Sequence, residues 1–511
     1  MNPTRPHPLV RLLLGAACVL ASLTVAAAES QCKYTPIGKL PLRYSGPGLE
    51  ITTEGTINGL PAELLVDTGA SQTYLTRTGT ERRNIRLYAT GRRSSGIGGT
   101  SPIYASIVNE FIVGPVRAGR SNMPVLGSMG DTPIYDGILG SPFLFQTDVE
   151  ISLAAKHLIF FVPEKCGSTW LGYWGKDVQS VPMRMHGGEH HRNPKFFVRI
   201  NGKELEAMID TGATTSSITS DAARRAGISL DGPDAERGRG IIGVGSHTAS
   251  NWYVTVKTFQ IGEETVQNAR MSVEDSGLNM ADVLLGADFV RAHRLLFAMS
   301  QNKLYFSYVG GEPFGQRRTL EPWVVAEAEG GNADAQYALA RSLYSGENGE
   351  QDKERGAEWL EKAAKGGSPY ANLYTGRRLL VQRDYAGAAT RLRSALDRLP
   401  AERHGAVWLY LARVRAGQAD LAKSELATIF ARTQNDEWPK PIGEFYLGKL
   451  SAEKLLAEAD EGDGKERRCE ALAAMGDFHR AHAQPDQEKA IDAQIKASCT
   501  TPDLTYTKLG G

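Results

Sequence analysis

A chain of 511 residues with hydrophobic content of 41% and charged content of 23% is long enough for two to four well-buried domains. It is too ordinary in composition to be mainly disordered or membrane-embedded. Lys plus Arg number 58 and Asp plus Glu number 58, which excludes a broad electrostatic pull toward nucleic acid or an anionic membrane.

Residues 1–28 read as a secretory signal peptide. Arg5 and Arg11 flank an apolar run over 12–28 that closes on Ala26-Ala27-Ala28 before Glu29. A retained anchor is the alternative, but the run is Ala-rich and barely reaches the roughly 17–25 residues of a spanning helix. No stable membrane span is expected, and the protein is expected to be exported, to a periplasm. Cys18 falls inside this segment, and Gly15 stands where a lipoprotein signal would carry a branched aliphatic residue. Export leaves Cys32, Cys166, Cys469 and Cys499, an even count that favours disulfides in an oxidising compartment. Their places along the chain pair Cys32 with Cys166 and Cys469 with Cys499, one clamp per module. None has metal-ligand spacing, so no zinc site is expected on them, and neither a metal nor a cofactor is expected elsewhere.

Beyond the signal the chain repeats itself. Ile57-Asn58-Gly59 precedes Leu64-Leu65-Val66-Asp67-Thr68-Gly69-Ala70, and Ile200-Asn201-Gly202 precedes Ala207-Met208-Ile209-Asp210-Thr211-Gly212-Ala213. Ile200 follows Ile57, and Asp210 follows Asp67, by the same 143 residues. Ile97-Gly98 recurs as Ile242-Gly243, and Asp136-Gly137-Ile138-Leu139-Gly140 as Asp282-Val283-Leu284-Leu285-Gly286. Matched features in one order imply a duplicated domain, over 29–168 and 169–310. Both copies read as β: short runs rich in Val, Ile, Thr, Tyr and Phe, such as 111–113 and 253–256, each closing on an apolar strand at 157–162 and 303–308. One short helix is predicted at 220–226, capped by Ser220 or Thr219.

An Asp after three apolar residues is a costly place for a charge unless something uses it. The Gly that follows permits a tight turn, and the Thr between supplies a hydroxyl to hold it. On these motifs both halves resemble pepsin-like and, more closely, retropepsin-like aspartic proteases, over roughly 34–310. The resemblance implies an all-β, two-lobed acid-protease fold with a pseudo-twofold axis. In it Asp67 and Asp210 form one catalytic pair, with Thr68, Gly69, Ala70, Thr211, Gly212 and Ala213 as supporting loops. The threonines would lock the two loops together, and 138–140 and 284–286 would brace them from behind. Ile97, Gly98 and Gly99, with Ile242, Gly243 and Val244, look like flap tips that close over a peptide or protein substrate. The residue after each Gly is Ala, as in retropepsins, where pepsins often carry a hydroxyl. Without that hydroxyl the pair's pKa values should lie higher. Ser71 and Thr214 depart from the common retropepsin Asp, which leaves substrate preference open. A non-catalytic peptide-binding scaffold on a decayed protease fold is the alternative reading.

Several other groups read as structural. Asp136 and Asp282 precede the brace elements symmetrically and are expected to make structural hydrogen bonds. His186, Glu189, His190 and His191 lie in a polar, Gly-containing stretch and read as a solvated turn rather than a metal site. The basic pairs Arg82-Arg83 and Arg92-Arg93 read as solvated surface.

After a linker at 311–321 the texture changes to Ala, Leu, Glu, Lys and Arg at helical spacing, over 322–511. Helical pairs are predicted at 335–364, 370–396, 406–431 and 468–497, and stacking lets each bury its apolar face. The region resembles tetratricopeptide-like repeats, with 333–364 similar to their Sel-like subtype. That resemblance implies an all-α solenoid that presents a concave surface to a partner protein, or one that shields the β module.

Overall fold

The computed structural model describes residues 31–185, 193–245, 247–275, 277, 280–314, 321–346, 349, 351–433, 438–461 and 464–499. The signal-peptide reading of 1–28, the cluster of His186, Glu189, His190 and His191, and residues 315–320 of the linker lie outside them.

Three sheets build the first part of the chain. A ten-stranded sheet contains the strands between Arg43–Ser45 and Gly137–Leu139, and an eight-stranded sheet those between Arg184–Met185 and Val283–Leu285. A six-stranded sheet joins the two halves. Lys33–Pro41, His157–Glu164 and Asp148–Ser152 come from the first half, and His293–Ala298, Lys303–Tyr308 and Gln179–Pro182 from the second. The seam at its centre is antiparallel, with Val149 opposite Phe297 and Ser152 opposite Arg294. The central strands Asp148–Ser152, His293–Ala298 and Lys303–Tyr308 are largely buried, so the sheet is the common floor of both lobes. The predicted short helix runs Ser220–Arg225, and the Thr219 hydroxyl accepts the Ala222 N–H as its N-cap. The disulfides are Cys32–Cys166 and Cys469–Cys499.

Among the described residues, every element after Lys303–Tyr308 is a helix. Beyond the helices anticipated from spacing, the structure adds Pro322–Glu329, Lys440–Tyr446 and Ala452–Asp460, which are too short to show a clear period. Among the described residues no helix is long and apolar enough to cross a membrane.

The helical region is seated on the first β half. Trp323 meets Tyr44 with its ring tilted, centroids 4.8 Å apart, and the Arg291 guanidinium of the second half lies 4.0 Å from the Trp323 ring centroid. Asn332 donates to the Tyr44 carbonyl (2.9 Å), and the Gly46 N–H donates to Asp334 (2.9 Å). Further along, Leu399 packs in one buried cluster with Leu65, Tyr74 and Ile138.

The helix Arg77–Arg82 is the centre of this contact. Glu81 accepts from Arg77 (3.0 Å) and from Arg403 of the helical region, and all three side chains are less than 9% exposed. Arg403 also donates to Thr433 (2.6 Å), Arg77 to the Arg432 carbonyl (3.1 Å), and Arg432 to the Glu81 carbonyl (3.0 Å). One expectation fails here. Arg82 and Arg83 are not solvated surface: both guanidiniums pair with Asp136 (2.8 and 2.9 Å), and Arg82 also reaches the Arg398 carbonyl. The seat of the helical region and the buried Asp136 carboxylate hold them in. Arg92 and Arg93 remain exposed.

Candidate active site

Each candidate acid stands at the end of a fully paired strand. Leu60–Val66 runs parallel to Gly137–Leu139, and Lys203–Ile209 parallel to Val283–Leu285. A strand with neighbours on both sides and cover on both faces must be apolar throughout, which is why Leu64-Leu65-Val66 and Ala207-Met208-Ile209 precede the acids. The brace elements continue the ladder into the loops, with the Asp67 N–H donating to the Leu139 carbonyl (3.1 Å) and the Asp210 N–H to that of Leu285 (2.9 Å). Asp136 and Asp282 hold the entry to these braces. Each accepts a backbone N–H, from Glu63 (2.9 Å) and Glu206 (3.1 Å) respectively, the structural role anticipated for them.

The loops turn by pairing with their own carboxylates. Asp67 accepts the N–H groups of Gly69 (2.9 Å) and Ala70 (2.8 Å), and Asp210 that of Gly212 (3.0 Å). Across the axis the threonines interlock. Thr68 Oγ1 donates to the Ile209 carbonyl (2.8 Å) and accepts the Thr211 N–H (3.0 Å). Thr211 Oγ1 donates to the Val66 carbonyl (2.6 Å) and accepts the Thr68 N–H (3.1 Å). Both side chains are buried, so Thr211→Val leaves a carbonyl and an N–H without partners, a loss of about 2–4 kcal/mol. A urea-unfolding midpoint unchanged by this substitution would contradict the interlock, whereas Thr211→Ser should keep most of the stability.

The interlock brings the carboxyls face to face. A Cβ on Gly69 would lie 2.4 Å from the Asp210 carboxyl carbon, and one on Gly212 2.5 Å from that of Asp67. Neither position tolerates a side chain, because each carboxyl occupies the space over the opposite loop. The two acids are within hydrogen-bonding reach of each other. Burial raises both carboxyl pKa values, and the charge of Asp210 pushes Asp67 further, well above the usual range. Asp210 is 9% exposed and Asp67 half-buried, so the pair is desolvated but reachable. Such a pair holds one shared proton over a range of pH in which ordinary carboxyls are ionised.

The two Gly-rich segments meet each other. The hairpin of Tyr88–Gly96 and Gly99–Val108 turns at Ile97 and Gly98. The Gly98 N–H donates to the Val244 carbonyl (3.0 Å), and the His247 N–H to the Gly98 carbonyl (2.9 Å). Ile97 faces Gly243, and Gly99 lies against the His247 ring. Val244, like Ala70 and Met129, packs against the buried cluster of Leu65, Tyr74 and Ile103, whereas Ile242 is 51% exposed. Gly245 sits at the crossing with φ +118°, and a Cβ there would stand 2.0 Å from the Gly98 carbonyl oxygen.

Asn193 escapes sequence reasoning. Its amide donates to the Thr68 (2.9 Å) and Gly69 (3.0 Å) carbonyls and its oxygen accepts from Ser141 (2.7 Å), tying the second half to the first loop. The matching place in the first copy is Glu50, so a comparison of the two copies hides it.

Paired strands, crossed loops and facing carboxyls define a two-lobed, protease-like module of the aspartyl type. Two family models agree: residues 53–143 match "Aspartyl protease", and residues 197–292 match "gag-polyprotein putative aspartyl protease". Solved structures similar to this chain include an aspartic proteinase from Irpex lacteus, 15% identical, covering 54% of this chain and 99% of its own, at TM-score 0.36. A retropepsin-like aspartic protease from Rickettsia conorii is 20% identical, covering 26% and 95%, at TM-score 0.21. A Sel1 repeat protein from Oxalobacter formigenes is 20% identical, covering 25% and 96%, at TM-score 0.21. No match was found among curated proteins.

Proposed function

We propose that the chain is an aspartic endopeptidase in which Asp67 and Asp210 activate one water between them. The observation that carries this reading is the facing of the two carboxyls, each against the opposite loop glycine. The ionised member takes a proton from the water, whose oxygen attacks the peptide carbonyl carbon. The protonated member hydrogen-bonds the carbonyl oxygen as its charge develops. Collapse of the tetrahedral intermediate breaks the C–N bond, and the nitrogen leaves with a proton from the pair. The buried, interlocked loops support this chemistry because the acids need little rearrangement to act.

The supporting segments are Thr68, Gly69 and Ala70 with Thr211, Gly212 and Ala213, and the roof residues are Ile97, Gly98, Gly99, Gly243 and Val244. Partner docking by the helical region, the second part of this reading, is confined to faces turned away from the first β half. Export to a periplasm suits the two disulfides. The proposed domain limits are lobes at 29–168 and 169–310, a linker at 311–321 and a helical region from 322.

The test is a pH–rate profile on a peptide library, with and without a transition-state-mimic inhibitor of aspartic proteases. The raised carboxyl pKa values move the singly protonated window upward, so inhibitable cleavage should peak at mildly acidic to near-neutral pH. A peak below about pH 3, or cleavage indifferent to the inhibitor, would count against it.

A further inference from the structure

The loop between the strands Ser121–Leu126 and Gly137–Leu139 is held from two sides. On its inner side it grips the crossing of the Gly-rich tips. The Gly130 N–H donates to the Gly245 carbonyl (2.9 Å), and Ser128 Oγ donates to the same oxygen (3.1 Å). Gly245 is flanked in turn by Val244 and His247, which hold Gly98 of the hairpin.

On its outer side, two residues further along, the loop is held by the helical region. Thr132 Oγ1 donates to Glu402 Oε2 (2.8 Å), and the Tyr370 hydroxyl donates to the Thr132 carbonyl (2.8 Å). Neither donor nor acceptor is on a loose side chain. Glu402 caps the helix Arg403–Arg415, its Oε1 accepting the N–H groups of His404 (3.1 Å) and Gly405 (3.3 Å). Tyr370 lies in the first turn of Pro369–Val381 and is partly buried against the cluster of Leu65, Tyr74 and Leu399.

We propose that Tyr370 and Glu402 are positioning residues for the roof over the acid pair. Through Thr132 they fix the loop that anchors Gly245, and so set how readily the crossed tips part to admit a chain. They touch neither acid, so their effect should fall on substrate entry and leave the protonation chemistry unchanged. The idea rests on the peptidase reading for its consequence, though not for its geometry.

The experiment measures amide hydrogen exchange in the full chain carrying Asp67→Asn, where activity plays no part. Tyr370→Phe and Thr132→Val each remove one of the outer hydrogen bonds. Exchange at Gly98, Gly130, Gly245 and His247 should quicken by roughly fivefold per lost bond, and more in the Tyr370→Phe, Thr132→Val double variant. Lys156→Ala, which breaks a different contact with the helical region at Glu327, should leave these amides unchanged. Equal rates in all variants, or equal quickening by Lys156→Ala, would overturn the proposal. In the chain with both acids, the same substitutions should change KM for a long peptide severalfold while the pH profile of kcat stays put. Quickened exchange in a protein without peptidase activity would keep this inference and remove the peptidase reading; unaltered exchange in an active protease would do the reverse.

Discussion

Asp67→Asn and Asp210→Asn are each expected to lower peptide hydrolysis by roughly 10²–10⁴-fold while the protein stays folded. Asn keeps the oxygen that accepts the Gly69 and Ala70, or the Gly212, N–H groups, so the loop turns survive. What is lost is a group that can take and return a proton. The same variants report on electrostatics independently of catalysis. Burial, joined at Asp67 by the charge of Asp210, raises both folded-state pKa values. Below the ordinary carboxylate pKa of about 4 both acids are neutral, folded or unfolded, and impose no penalty. As pH rises from there through the folded values, the unfolded chain ionises first, and stability contributed by the neutral pair is lost. An Asn variant escapes that loss. It should therefore be at least as stable as the parent at pH 7, with the difference shrinking toward pH 3, as read from urea-unfolding midpoints. A parent that gained stability over its Asn variants on going from pH 3 to pH 7 would mean that the carboxyls are not crowded together. Full hydrolysis by either variant would end the peptidase reading.

The second large effect is expected far from the acids, at Glu81. One buried carboxylate there is shared by Arg77 of its own helix and Arg403 of the helical region. Glu81→Ala leaves two guanidiniums in a site less than 9% exposed, and removing one partner from such a cluster costs about 3–5 kcal/mol. Replacing Glu81, Arg77 and Arg403 together by apolar residues of similar volume should cost less, because no charge is then stranded. The same contact predicts the outcome of shortening the chain. A protein ending near residue 320 would expose Tyr44, Leu65 and Arg77, which the helical region covers, and should unfold at a clearly lower urea concentration. A shortened chain with the parent's midpoint, or a Glu81→Ala variant within about 1 kcal/mol of the parent, would show the seat to be energetically idle.

The helical region therefore has a partner within its own chain. Its first turns bury Trp323 against Tyr44, and later ones hold Thr132 and Glu81. The repeat resemblance left open whether the solenoid meets a partner protein or shields the β module, because an amphipathic period shows that a face is buried and not what buries it. Arg82 and Arg83 were misread for a related reason. A pair of arginines among polar residues looks solvated along the chain, and only the fold places Asp136, 53 residues from Arg83, against both.

The amino-acid sequence alone determined the duplication, the paired Asp-Thr-Gly-Ala loops, the cysteine pairs and the change from strand to helix. Each of these is written in local residue order, and the repeat writes most of it twice. Tertiary structure alone decided that Asn193 ties the halves together, that Gly245 is where the two tips cross, and that the helical region rests on the first lobe. Those contacts join residues of unlike sequence separated by tens to hundreds of positions. Their hydrogen bonds and buried charges come into existence only when the sheets and helices dock, so no periodicity or motif along the chain records them.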